Sequence, residues 1–226
     1  MRSLRGYRRL KFLITAGGTR EYIDPVRFIS NASSGRMGYE LARSAVAAGH
    51  RVTLVTAPTN LPVPKAVTVV RIETASEMFK AVKERLHGCD CLIMVAAVSD
   101  YAPLRPSRAK IRRVGKMLTL TLKPTPDILK WAGEHKQGKS KKEKGKKQIV
   151  VGFALEDRNL RANAERKMHQ KNLDMVVANT PATVGNERCE VLVRKAGDKW
   201  RRIAKAPKRQ VAGRLIRMIE QLVWVD

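Results

Sequence analysis

The chain of 226 residues carries 46 lysines and arginines against 20 aspartates and glutamates, a formal charge of +26. A chain of this length suits one α/β domain with a sizeable core, and no apolar run approaches the roughly 20 residues that a membrane span needs. The three cysteines, Cys89, Cys91 and Cys189, fit neither a zinc spacing nor a disulfide framework, so inert thiols in a reducing cytoplasm are expected.

A basic excess attracts polyanions, whether nucleic acid, a membrane surface or phosphorylated metabolites. Part of it is one run, residues 136–147, with seven lysines and one glutamate. Such blocks repel themselves and are normally solvated, so the run says little about a site. The basic N-terminus leads into an apolar stretch too short for a signal-peptide core.

In chain order, Phe12, Leu13 and Ile14 read as a buried strand. It breaks at Gly17 and Gly18, where missing side chains let backbone amides approach a ligand. A second break, Ser33-Ser34-Gly35, precedes a helical pattern at Met37, Leu41, Ala45 and Ala48, with Ser33 or Ser34 as N-cap and Gly49 as stop. Strand, glycine loop and helix N-terminus together make an anion site. The loop between them, residues 16–31, exceeds the usual 2–6 residues of such connections. It carries Thr19, Arg20, Glu21, Asp24, Arg27, Ser30 and Asn31, a polar set that points to function. The G-x-G-x-x-G spacing is absent, which argues against ordinary nicotinamide binding.

Residues 51–57 read as a second strand and 67–72 as a third, followed by a helix over 74–86. The apolar run 91–98 fits a central parallel strand buried on both faces. Strands alternating with helices imply a doubly wound, mainly parallel sheet whose ligands bind beyond the carboxyl ends of the strands. That places Gly17-Gly18 and Ser99-Asp100 on one rim. Residues 101–124 differ: Pro103 and Pro106 break them, and a basic knot, Lys110-Ile111-Arg112-Arg113, follows. Residues 116–123 then alternate Leu118, Leu120 and Leu122 with Thr119 and Thr121. This reads as a protruding β-hairpin flap whose leucines need a partner, most simply a second copy of the chain.

Pro126, Asp127, Ile128 and Leu129 open a short helix. Residues 149–154 form another buried strand, and residues 160–172 a helix with Lys167 and Lys171 on one face. A strand at 174–178, a hairpin around Gly197-Asp198 and an amphipathic helix over 207–223 complete the chain. On the residues alone, a nucleic-acid-binding protein on a nucleotide fold and a Rossmann-type NAD(P)-dependent oxidoreductase remain open.

The motifs LITAGGTRE, IDPVRFISN-x-SSG-x-MG, MVAAVSDY, KIRR, PDIL, VGFALE and the KN-LD-VVAN run resemble the phosphopantothenate–cysteine ligases of coenzyme A biosynthesis, of the bacterial CTP-using kind. The likeness runs from about Leu13 to Ala178 and more weakly to the end. It implies a single Rossmann-like ligase domain over 1–226, with a flap at about 101–124, a lysine-rich insertion at about 136–147 and no fused decarboxylase.

The resemblance implies ligation of 4′-phosphopantothenate to L-cysteine through an acyl-cytidylate, with CTP and Mg2+, in a cytoplasmic homodimer. A separate phosphopantothenoylcysteine decarboxylase is an expected partner, and no membrane is. It assigns Asn31 to the acyl-cytidylate and Lys110 to a flap lysine reaching across the dimer. Gly17, Gly18, Ser34, Gly35, Met94, Val95, Ala96, Asp100, Lys110, Pro126, Asp127, Ile128, Leu129, Phe153, Lys167 and Lys171 fall on nucleotide-binding positions. Asn31, Arg27 and Arg36 are expected to bind substrate. Departures are Arg36 where a lysine is usual, KIRR for KIKK, Glu156-Asp157 for Glu-Thr and Asn179-Thr180 for Asn-Asp. The metal ligands and the C-terminal substrate contacts are left unassigned.

Overall fold

The computed structural model describes residues 9–113, 115, 117–137 and 148–223. Its frame is an eight-stranded sheet. The parallel strands are β1 (Lys11–Ala16), β4 (Arg51–Thr56), β5 (Thr68–Arg71), β6 (Cys91–Met94), β9 (Ile149–Leu155) and β10 (Met175–Asn179). An antiparallel edge is added by β11 (Arg188–Lys195) and β12 (Arg201–Pro207). The spatial order is β12-β11-β10-β9-β6-β1-β4-β5. The order therefore reverses between β1 and β6, the place where doubly wound sheets open a crevice beyond their strand ends.

Helices cover both faces. On one side α1 (Arg36–Ala47) and α5 (Lys208–Val223) pack over Phe12, Ile14 and Leu54; on the other α2 (Ala75–Arg85), α3 (Ile128–His135) and α4 (Leu160–Gln170) cover Leu13, Val55 and Leu92. The odd-even alternation of β1 thus feeds two cores, as a sheet buried on both faces requires. In α5, Val211, Leu215, Ile216 and Ile219 are buried. Glu220 fastens its far end: the buried His50 accepts from the Leu10 amide at Nδ1 (3.3 Å), so its Nε2–H donates to the Glu220 carboxylate at 2.7 Å.

Several expectations are corrected. The central strand stops at Met94 instead of running to 98, because the Val95 and Ala96 amides turn to the Thr15 hydroxyl, each at 3.1 Å, rather than to a strand neighbour. The first helix is capped by Gly35 in a left-handed conformation (φ 74°), not by a serine side chain. Ser33 and Ser34 instead accept from the amides two residues on, Gly35 and Arg36. The long first loop contains a small hairpin, β2 (Arg20–Tyr22) with β3 (Phe28–Ser30).

Among the described residues of the flap, only β7 (Tyr101–Pro103) and β8 (Leu122–Pro124) pair, and no strand forms at 117–121. Met117, Leu118, Leu120 and Leu122 are exposed, because nothing among the described residues lies over them. Val114 and Lys116 lie outside the described residues. So do residues 138–147 of the lysine run, but Lys136 itself is no solvated member of it. Only 11% of its side chain is exposed, and its ammonium donates to the Asn172 carbonyl (2.7 Å) and Asp174 (2.8 Å). The thiols are free; Cys91 and Cys189 are buried, and burial pushes Cys89 up to about 12. Among the described residues, no helix is long and apolar enough to cross a membrane.

One close approach fixes α3 against the turn that follows α4. A Cβ on Gly133 would collide with the Lys171 carbonyl, while the Gly133 carbonyl accepts from Asn172 Nδ2 at 2.9 Å. Gly133→Ala must push the two apart. We expect a loss of about 1–3 kcal/mol, the usual cost of overpacking, measurable by urea unfolding.

Candidate functional site

Beyond the β1 strand end, the chain is sewn to the segment after β6. The Ala97 amide donates to the Gly17 carbonyl (2.9 Å) and Thr19 N–H to the Ala97 carbonyl (3.2 Å). The Thr19 hydroxyl accepts from Ser99 N–H at 2.9 Å. Thr15 and Thr19 are both fully buried. Gly18 must be glycine here, since a Cβ would lie 2.8 Å from the Asn31 carbonyl oxygen. Threonines in place of aliphatics thus give two departing loops a common set of partners.

Two adjoining cavities open on this splice. The larger, about 430 Å³, lies under residues 31–38 and 95–98 and is closed by Phe153, Asn179, the 183–185 turn, Cys189 and Lys208. The smaller, about 170 Å³, lies between Met94 and the α3 start, with Thr125, Pro126, Asp127, Ile128, Leu129 and Lys171. Ala96, Val98, Asp100, Phe153 and Lys167 line both. Residues scattered from 31 to 208 therefore share one concave rim.

Of the residues expected to bind a nucleotide, Ser34, Gly35 and Val95 line the larger cavity. Met94, Pro126, Asp127, Ile128, Leu129 and Lys171 line the smaller one, and Ala96, Asp100, Phe153 and Lys167 line both. Gly17 and Gly18 are buried behind the floor rather than lining it, and Gly17 backs onto the backbone where a Gly35 Cβ would lie. Of the substrate residues, Asn31 and Arg36 line the larger cavity, but Arg27 lies in neither. Asn31 is exposed on the rim, its amide donating to the Ala97 carbonyl at 3.0 Å. Lys110 is exposed on the flap and lines neither cavity.

The flap base is tied to the first loop by Asp24, which is 1% exposed. Its carboxylate accepts from the amides of Val26, Arg27 and Ile111 at 2.8–3.2 Å, and Arg27 bridges it to the Ile111 carbonyl. Burial alone would raise the Asp24 carboxyl, but these amides and the Arg27 charge outweigh it and hold it low.

Cations face the cavities from several elements. Lys167 donates to the Phe153 carbonyl at 2.7 Å, and its pKa is lowered by burial first and by Lys171 second. Lys171 pairs at 2.9 Å with Asp127, which also caps α3 through the Lys130 amide. Burial pushes Asp127 upward, but the Lys130 amide and Lys171 pull it below the ordinary range. Arg36 bonds Glu187 at 2.7 Å. The sequence reading missed Thr183, Val184, Gly185, Cys189, Val191 and Lys208. They come from the end of the chain, where motif likeness is thin; the one available signal is Pro207, which stops β12 and fixes where α5, and so Lys208, begins.

A family model described as DNA/pantothenate metabolism flavoprotein C-terminal domain matches residues 7–223. The coenzyme A biosynthesis bifunctional protein CoaBC of Bacillus subtilis (strain 168) is 43% identical over 168 residues, 74% of this chain and 39% of that protein. A protein named cysteine/cysteine sulfinic acid decarboxylase, from an unknown prokaryotic organism, is 41% identical over 218 residues, 94% of this chain and 58% of that protein. The chain spans about half the length of the curated relatives it matches. A crystal structure of the C-terminal domain of CoaBC is similar with a TM-score of 0.80 and 36% identity, covering 96% of this chain and 97% of that one.

Thr15→Val keeps the shape but strands the Val95 and Ala96 amides; it should cost about 1–3 kcal/mol in urea unfolding. Asp24→Asn should free the flap base and speed protease cleavage between residues 104 and 121. Because the folded Asp24 pKa is depressed, the restraint in the natural chain is complete above the unfolded value near 3.9 and fades only as pH falls through the lower folded value. Proteolysis at pH 7 therefore separates the variant from the natural chain.

Proposed function

The chain belongs to the DNA/pantothenate metabolism flavoprotein C-terminal domain family, and on that premise we propose that it is a phosphopantothenate–cysteine ligase of coenzyme A biosynthesis. The nucleotide in this reading is CTP, and the reaction runs in two steps. A carboxylate oxygen of 4′-phosphopantothenate attacks the α-phosphorus; that O–P bond forms as the bond to the β-phosphate oxygen breaks, and pyrophosphate leaves with the electron pair. The amine of L-cysteine then attacks the acyl carbon, CMP leaves with the C–O electrons, and the nitrogen gives up a proton.

The observation that carries this reading is the meeting of Asn31, Asp100 and Lys167 around one crevice at the strand-order reversal. An acyl-phosphate junction needs neutral donors and cations around developing negative charge. Asn31 supplies an amide that donates without taking a proton. Lys167, already partly desolvated, supplies charge where water screens it least. Asp100, exposed at the junction of both cavities, suits ribose hydroxyls or a base amine. The smaller cavity, floored by Ile128 and Leu129 and edged by Asp127 and Lys171, suits the nucleoside end.

Asp100 is the carboxylate that lines both cavities, and no cluster of three metal-binding side chains occurs among the described residues. That donor set fits Mg2+, which is commonly held by one or two carboxylates plus substrate phosphates. When bound, the ion would neutralise phosphate charge, held mainly by the phosphates themselves, with Asp100 able to take it only where it is not engaged by the ribose.

The exposed leucines of the flap and the absence of Lys110 from the lining of either cavity support a homodimer in which each Lys110 serves the neighbouring copy. In the same reading the functional partner is a phosphopantothenoylcysteine decarboxylase and the enzyme is cytoplasmic; the word decarboxylase in the name of one relative supports the first of these.

Protein mixed with CTP, phosphopantothenate, cysteine and Mg2+ should release pyrophosphate, faster than with ATP; no release with any nucleotide would refute the reading. Asn31→Asp should accumulate the acyl-cytidylate, visible by mass spectrometry. Lys110→Ala should lose about 2–4 kcal/mol of transition-state stabilisation. Mixing it with inactive Asn31→Asp should restore part of the rate if the lysine acts across the dimer, and none if it acts within one chain.

A further inference from the structure

The closed end of the larger cavity holds a cation to which the proposed ligation gives no task. Lys208 is the first residue of α5, placed there by Pro207, and is only 7% exposed although its side chain lines the cavity. A lysine this deep is unusual without a carboxylate. The described residues give its ammonium one hydrogen bond, to the Thr183 carbonyl at 3.1 Å, and no ion pair. Arg36 enters the same cavity from the α1 N-terminus. One edge of its guanidinium is held by Glu187, whose amino-acid neighbour Arg188 opens β11, while its buried Nε has no partner among the described residues. The thiol of Cys189 and the Ser33, Ser34 and Gly35 turn complete the wall.

A buried ammonium and a half-buried guanidinium whose Nε is buried and without a partner among the described residues, beside the N-terminus of α1, call for an anion. Both cationic groups and the helix end carry the same sign; Glu187 offsets part of that charge at Arg36, no carboxylate among the described residues pairs with Lys208, and a ligand of opposite charge would relieve the repulsion that is left. Asp100 lines the cavity too, but from the end shared with the smaller cavity.

We propose that Lys208, together with Arg36, binds the pyrophosphate portion of the nucleotide and steadies it as it leaves. The proposal rests on the nucleotide reading of the cleft and deepens it by naming the residue that meets the leaving group. In the first step negative charge accumulates on the oxygen linking the α- and β-phosphates as that bond breaks. The buried Lys208 ammonium is suited to receive it, since a fixed cation in a water-poor wall stabilises such charge more than a solvated one, and the Arg36 guanidinium adds charge and hydrogen-bond donors from the rim. Burial lowers the Lys208 pKa first and Arg36 adds to that, whereas Cys189 opposes it. A bound polyanion would reverse that depression and hold the ammonium charged.

Calorimetric titration with inorganic pyrophosphate tests this without turnover. Lys208→Met should weaken binding by roughly 10–100-fold, the worth of a hydrogen bond to a charged group. Lys208→Arg should keep most of the affinity, and its melting temperature should match that of the natural chain. Unchanged affinity in folded Lys208→Met would overturn the proposal. Should Lys208→Met fail to fold, Arg36→Gln takes its place: the same loss is expected, and retained affinity overturns the proposal in the same way. A protein that binds pyrophosphate through Lys208 yet makes none from CTP leaves this inference standing and removes the ligase reading. An active ligase whose folded Lys208→Met binds pyrophosphate normally does the reverse.

Discussion

The arrangement depends on a splice of backbone and hydroxyl bonds beyond the carboxyl ends of β1 and β6. Gly17, Thr19 and Ala97 exchange main-chain bonds as though the sheet continued, and Thr15 and Thr19 accept the amides that turn away from it. A buried amide without a partner costs about 1–3 kcal/mol, so this short region has little freedom to move. It sets the height of Asn31, which bonds to Ala97, and of Asp100, which follows the Ser99 amide held by Thr19. The crevice is therefore a consequence of where two parallel strands end.

The charge of the chain is organised on the same plan. A surplus of 26 positive charges would by itself suggest a general appetite for polyanions. Inside the cleft, however, the cations are individually restrained. Lys167 is held by the Phe153 carbonyl, Lys171 by Asp127, Arg36 by Glu187 and Lys208 by the Thr183 carbonyl. They come from α1, α5 and the last turn and C-cap of α4, and converge on two cavities that share a wall. Restraint of this kind suits a ligand of defined shape, such as a nucleoside polyphosphate, better than a flexible strand.

Much of this was legible in the residues. The apolar runs at Phe12–Ile14 and 149–154 pointed to the buried strands, because burial periodicity is a local property; the spacing of Lys167 and Lys171 alone fitted a solvated helix face, and only the family resemblance put them at the cleft. The extent of 91–98 was misread, since apolar character persists past Met94 while the hydrogen-bond partner changes from a strand to the Thr15 hydroxyl. Gly17 and Gly18 looked like a cradle for a ligand; their lack of Cβ atoms accommodates the chain's own Ala57 and Asn31 backbone. The leucine alternation at 118–122 promised burial, and the described residues provide no surface to bury it. Lys136 belonged by composition to a solvated run, yet it is a staple for Asp174. Lys208 could not be found at all, because its role depends on the β11–β12 edge folding the end of the chain back to the N-terminus of α1. Contacts between distant segments leave no mark in local pattern.

The central claim is that a nucleotide lies across both cavities, with its phosphates toward α1 and its base toward α3. A crystal structure of the protein with CTP and Mg2+ addresses it most directly. The account predicts the cytosine beside residues 125–129, ribose near Asp100 and the terminal phosphates between Gly35, Arg36 and Lys208. A triphosphate bound elsewhere, for instance among Arg9, Lys11, Arg51 and Arg85 at the opposite end of the strands, would contradict it.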